Sequence, residues 1–195
     1  MAHLEQLSVS KASHTQVRDL RFSLPIWITG MNTSGDESFC SLLGNSVKPV
    51  NPYKELLFWL MGCARHTLPA IGLGLLEQFR QPPKAEAKYK AKAESLRDEF
   101  QQLLGDDGVF IYPTHPIPAP YHNQALFHTF NFAYTGIFNI LGLPCTAVPM
   151  GLSKQGVPIG FQVVGAKYSD RLTIAVAEEL ERAFGGWVPP FQVQK

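Results

Sequence analysis

Three short apolar segments constrain the fold of this chain more than any other feature, and they lie at residues 109–112, 145–148 and 158–164. Proline, glycine or other turn residues bound each segment, which is typical of β-strands. Polar residues hardly alternate with the apolar ones, so we expect these strands to be buried on both faces of a sheet. Three strands are few for a sheet covered in this way, and on their own they would leave exposed edges that favour aggregation.

Helical segments are interleaved with these strands. Residues 84–104 have apolar side chains at spacings of three and four, and Gly105 follows where such a helix would end. The same reasoning predicts helices over residues 21–31, 123–141 and 170–184, and a short strand over residues 14–20. This order of elements predicts an α/β fold in which helices flank a mixed sheet.

The chain of 195 residues is poor in charge, since charged residues make up only 17 % of it, against about 25 % in an average soluble domain. This leaves a surplus of apolar side chains, so either a large share of the surface is covered by something else or some of the surface is apolar. A net charge of +1 excludes a basic nucleic-acid footprint, so we expect no nucleic acid as a partner. The three cysteines form no C-x-x-C pair, and we expect free thiols.

Residues 48–81 contain much of this apolar surplus, in two predicted helices over residues 53–64 and 67–79. The first helix is apolar nearly all the way round and includes Leu57, Phe58, Trp59 and Leu60. Such a helix is either fully buried or inserted into a lipid surface. Each apolar half is about ten residues long and a bilayer span needs about 20, so we predict no transmembrane helix. The N-terminus lacks the apolar core of a signal peptide. We therefore expect an intracellular protein, peripheral to a membrane or lipid surface.

The residues form no self-contained catalytic motif. The sequence has no G-x-S-x-G elbow, no GxxxxGK[ST] loop and no HExxH motif. None of the six histidines has a second histidine at a spacing suited to a metal ion. We therefore expect no metal site and no cofactor.

An ordered set of turn residues in the C-terminal half is more informative. It reads Asn139-x-x-Gly142-x-Pro144, then Pro149-x-Gly151, then Gly156-x-Pro158-x-Gly160-x-Gln162, followed by the last helix. This pattern resembles the C-terminal end of amidase-signature hydrolases. The segments 23–27, 105–113 and 130–136 also resemble fatty-acid amide hydrolases, closest to the second type. The resemblance implies that residues 1–195 are the C-terminal portion of a single amidase domain, with apolar cap helices at 48–81 and the strands and final helix at 105–188.

Enzymes of that family hydrolyse fatty-acid amides with a Ser–cis-Ser–Lys triad, whose serines lie in a stretch of the type GGSSGG. This sequence contains no Ser-Ser dipeptide, so no catalytic residue can be assigned and we expect the chain to be inactive alone. The resemblance implies two further roles. Phe132 and Phe138 would line the channel for the acyl chain of a long-chain fatty-acid amide in the full-length enzyme. Leu57, Phe58, Trp59 and Leu60 would belong to a cap that binds the lipid membrane surface.

Other interpretations of the same residues stay open. The aromatic residues can be plain core, and the apolar helix pair can be buried or can form the interface of a homodimer. Arg65 and His66, between the two helices, can meet lipid headgroups or only water. The chain can be a membrane-peripheral or interaction module without chemistry, or a half-domain completed in trans. Residues 1–8 resemble the end of a helix, which favours a short product or an incomplete sequence.

Overall fold

The computed structural model describes residues 12–33, 37–78, 81–122 and 124–189. The chain divides into two compact units. The sheet unit comprises residues 1–26 and 91–195, and the cap unit comprises residues 27–90. The helix end expected at residues 1–8 lies outside the described residues.

Helices account for most of the ordered structure. In the described ranges the α-helices are α1 (Ser23–Thr33), α2 (Phe39–Leu43), α3 (Pro52–Leu60), α4 (Leu68–Gln78), α5 (Pro83–Leu104), α6 (Ala133–Leu141) and α7 (Asp170–Phe184). Two 3₁₀ helices cover Arg18–Phe22 and Gln124–Phe132. The strands are β1 (Val109–Pro113), β2 (Cys145–Leu152) and β3 (Pro158–Gly165). Interleaved helices and strands confirm the predicted fold class.

The three strands form one antiparallel sheet in the order β1-β3-β2. Within the described residues, β1 and β2 are therefore both edge strands, and most of their residues are partly exposed. Only the C-terminal half of β3 is enclosed on both faces, where neighbouring Val163 and Val164 are both 0 % exposed. The prediction of strands buried on both faces is thus right for that half of β3 and wrong for β1 and β2, because the packing on the faces of these two strands leaves most of their residues partly exposed.

Helix α7 covers one face of the sheet. Val148 and Val163 from the sheet pack there against Ala177 and Leu180 from the helix. The Oγ1 atoms of Thr146 on β2 and Thr173 on α7 lie 2.9 Å apart and form a hydrogen bond. The segment that contains β2, the turn, β3 and α7 therefore folds back on itself, and α7 buries the apolar face of β2 and β3.

Three local predictions need correction. Residues 14–20 form no strand, because the Leu20 N–H donates to the Val17 carbonyl oxygen (3.3 Å) and the chain enters the 3₁₀ helix at Arg18. Residues 124–141 are a 3₁₀ helix followed by α6 rather than one helix, with non-helical dihedral angles at His128. Helix α3 ends at Leu60 instead of residue 64, because the chain turns at Gly62 with a φ of 74°.

Candidate functional site

A cluster of aromatic rings covers the second face of the sheet. Phe138 of α6 is fully buried, and its ring meets Phe100 and Tyr112 edge to face at 5.8 and 5.6 Å between centroids. The Tyr112 ring stacks on Tyr134 at 5.5 Å. Burial raises the pKa of the Tyr112 phenol, and the neighbouring Tyr134 adds to the shift. This phenol is therefore neutral near pH 7 and has no charge to offer a reaction.

The predicted channel residues occupy different environments. Phe138 is 0 % exposed and enclosed by the aromatic cluster, whereas Phe132 is half-buried at the end of the 3₁₀ helix. Complete enclosure is what plain core packing of Phe138 would produce. The role of both residues in a channel wall stays a prediction.

Gln162 joins the aromatic cluster to the sheet. This residue of β3 is 3 % exposed, and its side-chain amide donates to the carbonyl oxygens of Pro113 (3.0 Å) and Tyr134 (2.9 Å). A buried amide must be hydrogen-bonded, and these two bonds connect β3 with the end of β1 and the start of α6. Two residues earlier, a Cβ at Gly160 would lie 2.5 Å from the carbonyl oxygen of Val148. Both motif residues therefore have a structural role.

A groove of about 580 Å³ lies where β1 ends. Its walls are the loop 114–120 and parts of β2 and β3, with side chains that include Ile117, Ile159 and Phe161. Only Thr114 and His115 among its lining residues have polar side chains, and His115 Nδ1 lies 2.7 Å from the carbonyl oxygen of Ile117. The groove can hold an apolar group, but its lining includes no acid or nucleophile paired with a base.

This groove is absent from the sequence-based predictions, in which residues 114–120 are only an irregular loop. The sequence indicates a stiff loop here, since four prolines lie in 113–120, but it does not indicate which strands complete the groove. Rigid, apolar loops at strand ends are common walls of binding sites.

The cap unit presents a continuous apolar surface at the end of α3. Leu57, Phe58, Trp59 and Leu60, the four predicted cap residues, are all exposed, as is the following Met61. Leu60 and Met61 are the most open, at 71 % and 68 % exposed. Five consecutive apolar side chains in contact with solvent are unusual in a soluble domain.

A buried carboxylate lies on the other side of the same helix. Glu55 Oε2 accepts a hydrogen bond from the backbone N–H of Arg65 (3.2 Å), beyond the end of the helix. The same oxygen lies 3.0 Å from His66 Nδ1, an ion-pair distance, although that ring nitrogen makes no well-directed hydrogen bond. His66 is the main cause that lowers the pKa of the Glu55 carboxyl, so Glu55 is ionised near pH 7.

A second carboxylate connects α4 to the short helix α2. Glu77 accepts hydrogen bonds from the backbone N–H groups of Phe39 (2.6 Å) and Cys40 (3.0 Å), which belong to the first turn of α2. A carboxylate at a helix N-terminus is favourable, because the N–H groups there have no partner within the helix. Burial and the nearby Glu77 raise the pKa of the Cys40 thiol to about 11, so Cys40 is a poor nucleophile.

Clusters of metal-binding side chains and membrane-crossing helices are both lacking in the described part of the chain. No group of three or more histidine, cysteine or acidic side chains could hold a metal ion within the described ranges. No helix in those same ranges combines the length and the apolar character needed to cross a bilayer.

A sequence profile of the Amidase family matches residues 67–174, slightly more than half of the chain. The chain belongs to the amidase family. Fatty-acid amide hydrolase 2 of Homo sapiens is 45 % identical over 97 % of this amidase-family chain, which covers 37 % of that relative. Fatty-acid amide hydrolase 2-A of Danio rerio is 45 % identical over 92 % of the chain, which covers 35 % of it. The chain thus spans little more than a third of the length of these relatives.

Solved amidase structures have the same fold. A glutamyl-tRNA(Gln) amidotransferase subunit from Thermotoga maritima matches 92 % of the chain with a TM-score of 0.57 and 21 % identity, over 36 % of its own length. A 6-aminohexanoate cyclic dimer hydrolase matches 94 % with a TM-score of 0.61 and 18 % identity, over 39 % of its own length. These similarities confirm the predicted amidase-signature fold.

Proposed function

We propose that this chain supplies the apolar binding surfaces of a fatty-acid amide hydrolase and none of its reacting groups. The observation that carries this proposal is 45 % identity to fatty-acid amide hydrolase 2 over 97 % of the chain, combined with coverage of only 37 % of that relative. The sequence contains no Ser-Ser dipeptide, which the family's catalytic stretch requires. The chain is then the C-terminal portion of the enzyme domain and is inactive alone.

The groove at the end of β1 is the part of this chain that would hold the fatty acyl group. Its volume of about 580 Å³ lies within the range of roughly 300–1,000 Å³ that is usual for small-molecule sites. Its apolar walls favour a hydrocarbon chain, because transfer of each methylene group from water contributes about 0.8 kcal/mol. Phe132 and Phe138 are not among the residues that line this groove, so in this proposal they belong to a part of the channel wall outside it.

A serine-directed probe tests the proposed lack of a nucleophile. The purified chain is incubated with a fluorophosphonate, which forms a covalent bond with activated serines, and human fatty-acid amide hydrolase 2 serves as the positive control. We expect adduct formation on the control and none on the chain by mass spectrometry. A stoichiometric adduct on any of its serines would contradict the proposal.

The exposed end of α3 supports a second role, docking of the cap on a lipid surface. Leu57, Phe58, Trp59 and Leu60 would enter the interfacial region, and the exposed side chains of Lys54 and Arg65 would meet phosphate groups. The protein would then be peripheral to an intracellular membrane. In vesicle flotation, Trp59→Glu should abolish binding, whereas Trp187→Glu, which changes an exposed tryptophan of the sheet unit, should not.

Two other partners compete for these surfaces. A second copy of the chain could cover the apolar end of α3 and form a homodimer. Sedimentation in the absence of lipid distinguishes this from lipid binding, because such a chain should be a dimer as wild type and a monomer as Trp59→Glu.

The remaining part of a longer amidase could pair in trans with the edge strands β1 and β2. Co-purification of the chain with the part of human fatty-acid amide hydrolase 2 that it does not match tests that pairing.

A further inference from the structure

We infer that Glu55 is a latch that holds the lipid-facing end of the cap in its binding conformation. This inference rests on the proposed membrane role of the cap and adds to it a positioning residue that does not itself contact lipid. It follows from the burial of Glu55, from its two contacts across the turn after α3, and from the position of the exposed apolar residues between those contacts.

Glu55 is unusual for its place in the helix. It is 9 % exposed and lies with Pro52 on the buried side of α3, where a short amphipathic helix ordinarily has an apolar side chain. A carboxylate at such a position costs free energy unless it is paired and hydrogen-bonded. Both contacts of Glu55 go forward along the chain, to the backbone N–H of Arg65 and to the imidazole of His66.

These contacts close a loop over residues 56–64. The loop contains all five residues of the exposed apolar run, from Leu57 to Met61. Inside it, the N–H groups of Met61, Gly62 and Cys63 donate to carbonyl groups of the last helical turn at 2.9–3.1 Å. A helix as short as α3 is marginal in water, and a tie across its end opposes fraying. Glu55 therefore keeps Trp59, Leu60 and Met61 ordered before any lipid is met.

Few other charged groups can compete for Glu55. On α3 the neighbouring Lys54 is exposed, and in the turn His66 is the ionisable side chain that contacts Glu55. Glu77 is the only residue of α4 with an ionisable side chain, and its carboxylate binds the N–H groups that begin α2. The latch therefore depends on the ionisation of Glu55, and protonation of this carboxyl should release it.

Vesicle flotation with phosphatidylcholine tests the latch in three variants of the full chain. Glu55→Ala removes both contacts and should weaken binding about tenfold, because residues of the turn must then be ordered on binding. Glu55→Gln keeps an oxygen that can accept from Arg65 but has no charge to hold His66, so at neutral pH it should bind vesicles as weakly as wild type does in acid. Glu99→Ala, which removes an exposed glutamate on α5, should not change binding.

A pH profile separates the latch from a loss of folding. Wild-type binding should fall as the pH drops below 4.5, the ordinary pKa of a glutamate side chain, and Glu55→Gln should lack this fall in acid.

If Trp59→Glu binds vesicles like wild type, the proposed lipid role itself fails. If Trp59→Glu does not bind but Glu55→Ala binds like wild type, the latch is overturned. If Glu55→Ala does not fold, an unchanged acid profile in Glu55→Gln overturns the latch.

Discussion

The side-chain amide of Gln162 donates a hydrogen bond to the carbonyl oxygen of Tyr134, with 2.9 Å between nitrogen and oxygen. A second bond from the same nitrogen reaches Pro113 at 3.0 Å. One side chain therefore fixes the central strand to both the edge strand β1 and helix α6. Because the groove begins at Thr114, directly after Pro113, this amide also fixes one end of the groove wall.

Replacement of Gln162 should loosen this part of the sheet unit. Gln162→Leu keeps the side-chain volume but removes both hydrogen bonds, and we expect the free energy of unfolding to fall by about 2 kcal/mol in urea denaturation. Gln155→Leu changes an exposed glutamine in the turn between β2 and β3 and should have an effect below about 0.5 kcal/mol. Equal effects of the two substitutions would show that the buried amide has no special role.

Two glycines of α4 should respond in opposite ways to the same substitution. A Cβ at Gly74 would lie 3.2 Å from both Cys40 Sγ and Pro52 Cβ, whereas a Cβ at Gly72 would meet no atom within 4 Å. We expect Gly74→Ala to destabilise the cap unit by up to about 2 kcal/mol, because overpacking costs about 1–3 kcal/mol and the gain in helix propensity offsets up to about 1 kcal/mol of it. Gly72→Ala should stabilise it by about 0.5–1 kcal/mol, because alanine favours a helix. Hydrogen exchange of α4 amides measures both, and equal protection in the two variants would contradict the packing described here.

The turn after α3 should weaken in acid. His66 lowers the pKa of Glu55 below its ordinary value of 4.5, so the folded state favours the ionised carboxyl. Its stabilising contribution is therefore fully present above 4.5 and is lost as the pH falls through the lower, folded-state value. The Arg65 amide, which donates to Glu55, should lose hydrogen-exchange protection over that range. The same amide in Glu55→Gln should show no such loss, and a parallel loss there would rule out Glu55 as the titrating group.

The cysteines should differ in reactivity. Burial and Glu77 raise the pKa of Cys40 to about 11, while Cys63 is exposed in the turn after α3. At about pH 8 we expect iodoacetamide to modify Cys63 first and Cys40 slowly, because the thiolate is the reacting species. Peptide mass spectrometry over time measures the order. Modification of Cys40 before Cys63 would contradict the packing of Cys40 against α4.

The sequence alone was sufficient for elements with strong local signals. Helix α5 was predicted to within one residue, since its apolar spacing and Gly105 define both the period and the end. The end of α3 was missed because Gly62 stops it inside an apolar stretch. The strand predicted over residues 14–20 was wrong because the chain enters a 3₁₀ helix at Arg18. The ion pair between Asp19 of that helix and Lys92 of α5 is a long-range contact, which local composition does not reveal.

The candidate site was predictable to a similar degree. The turn residues around Gly160 and Gln162 identified the family, because strand contact and a buried amide restrict those positions to few residue types. The exposed apolar run from Leu57 was also evident in the sequence. The groove was not, since it forms only when β2 and β3 come beside the loop after β1. Neither was the latch, because a glutamate in an apolar helix does not reveal its partner.

Hydrolysis of a long-chain fatty-acid amide tests the central claim most directly. The rate is measured for the purified chain alone, and for the chain mixed with the part of human fatty-acid amide hydrolase 2 that it does not match. We expect no hydrolysis above buffer by the chain alone, and hydrolysis by the mixture that a fluorophosphonate abolishes. Hydrolysis by the chain alone that a fluorophosphonate blocks would contradict the claim that it supplies binding surfaces without the nucleophile.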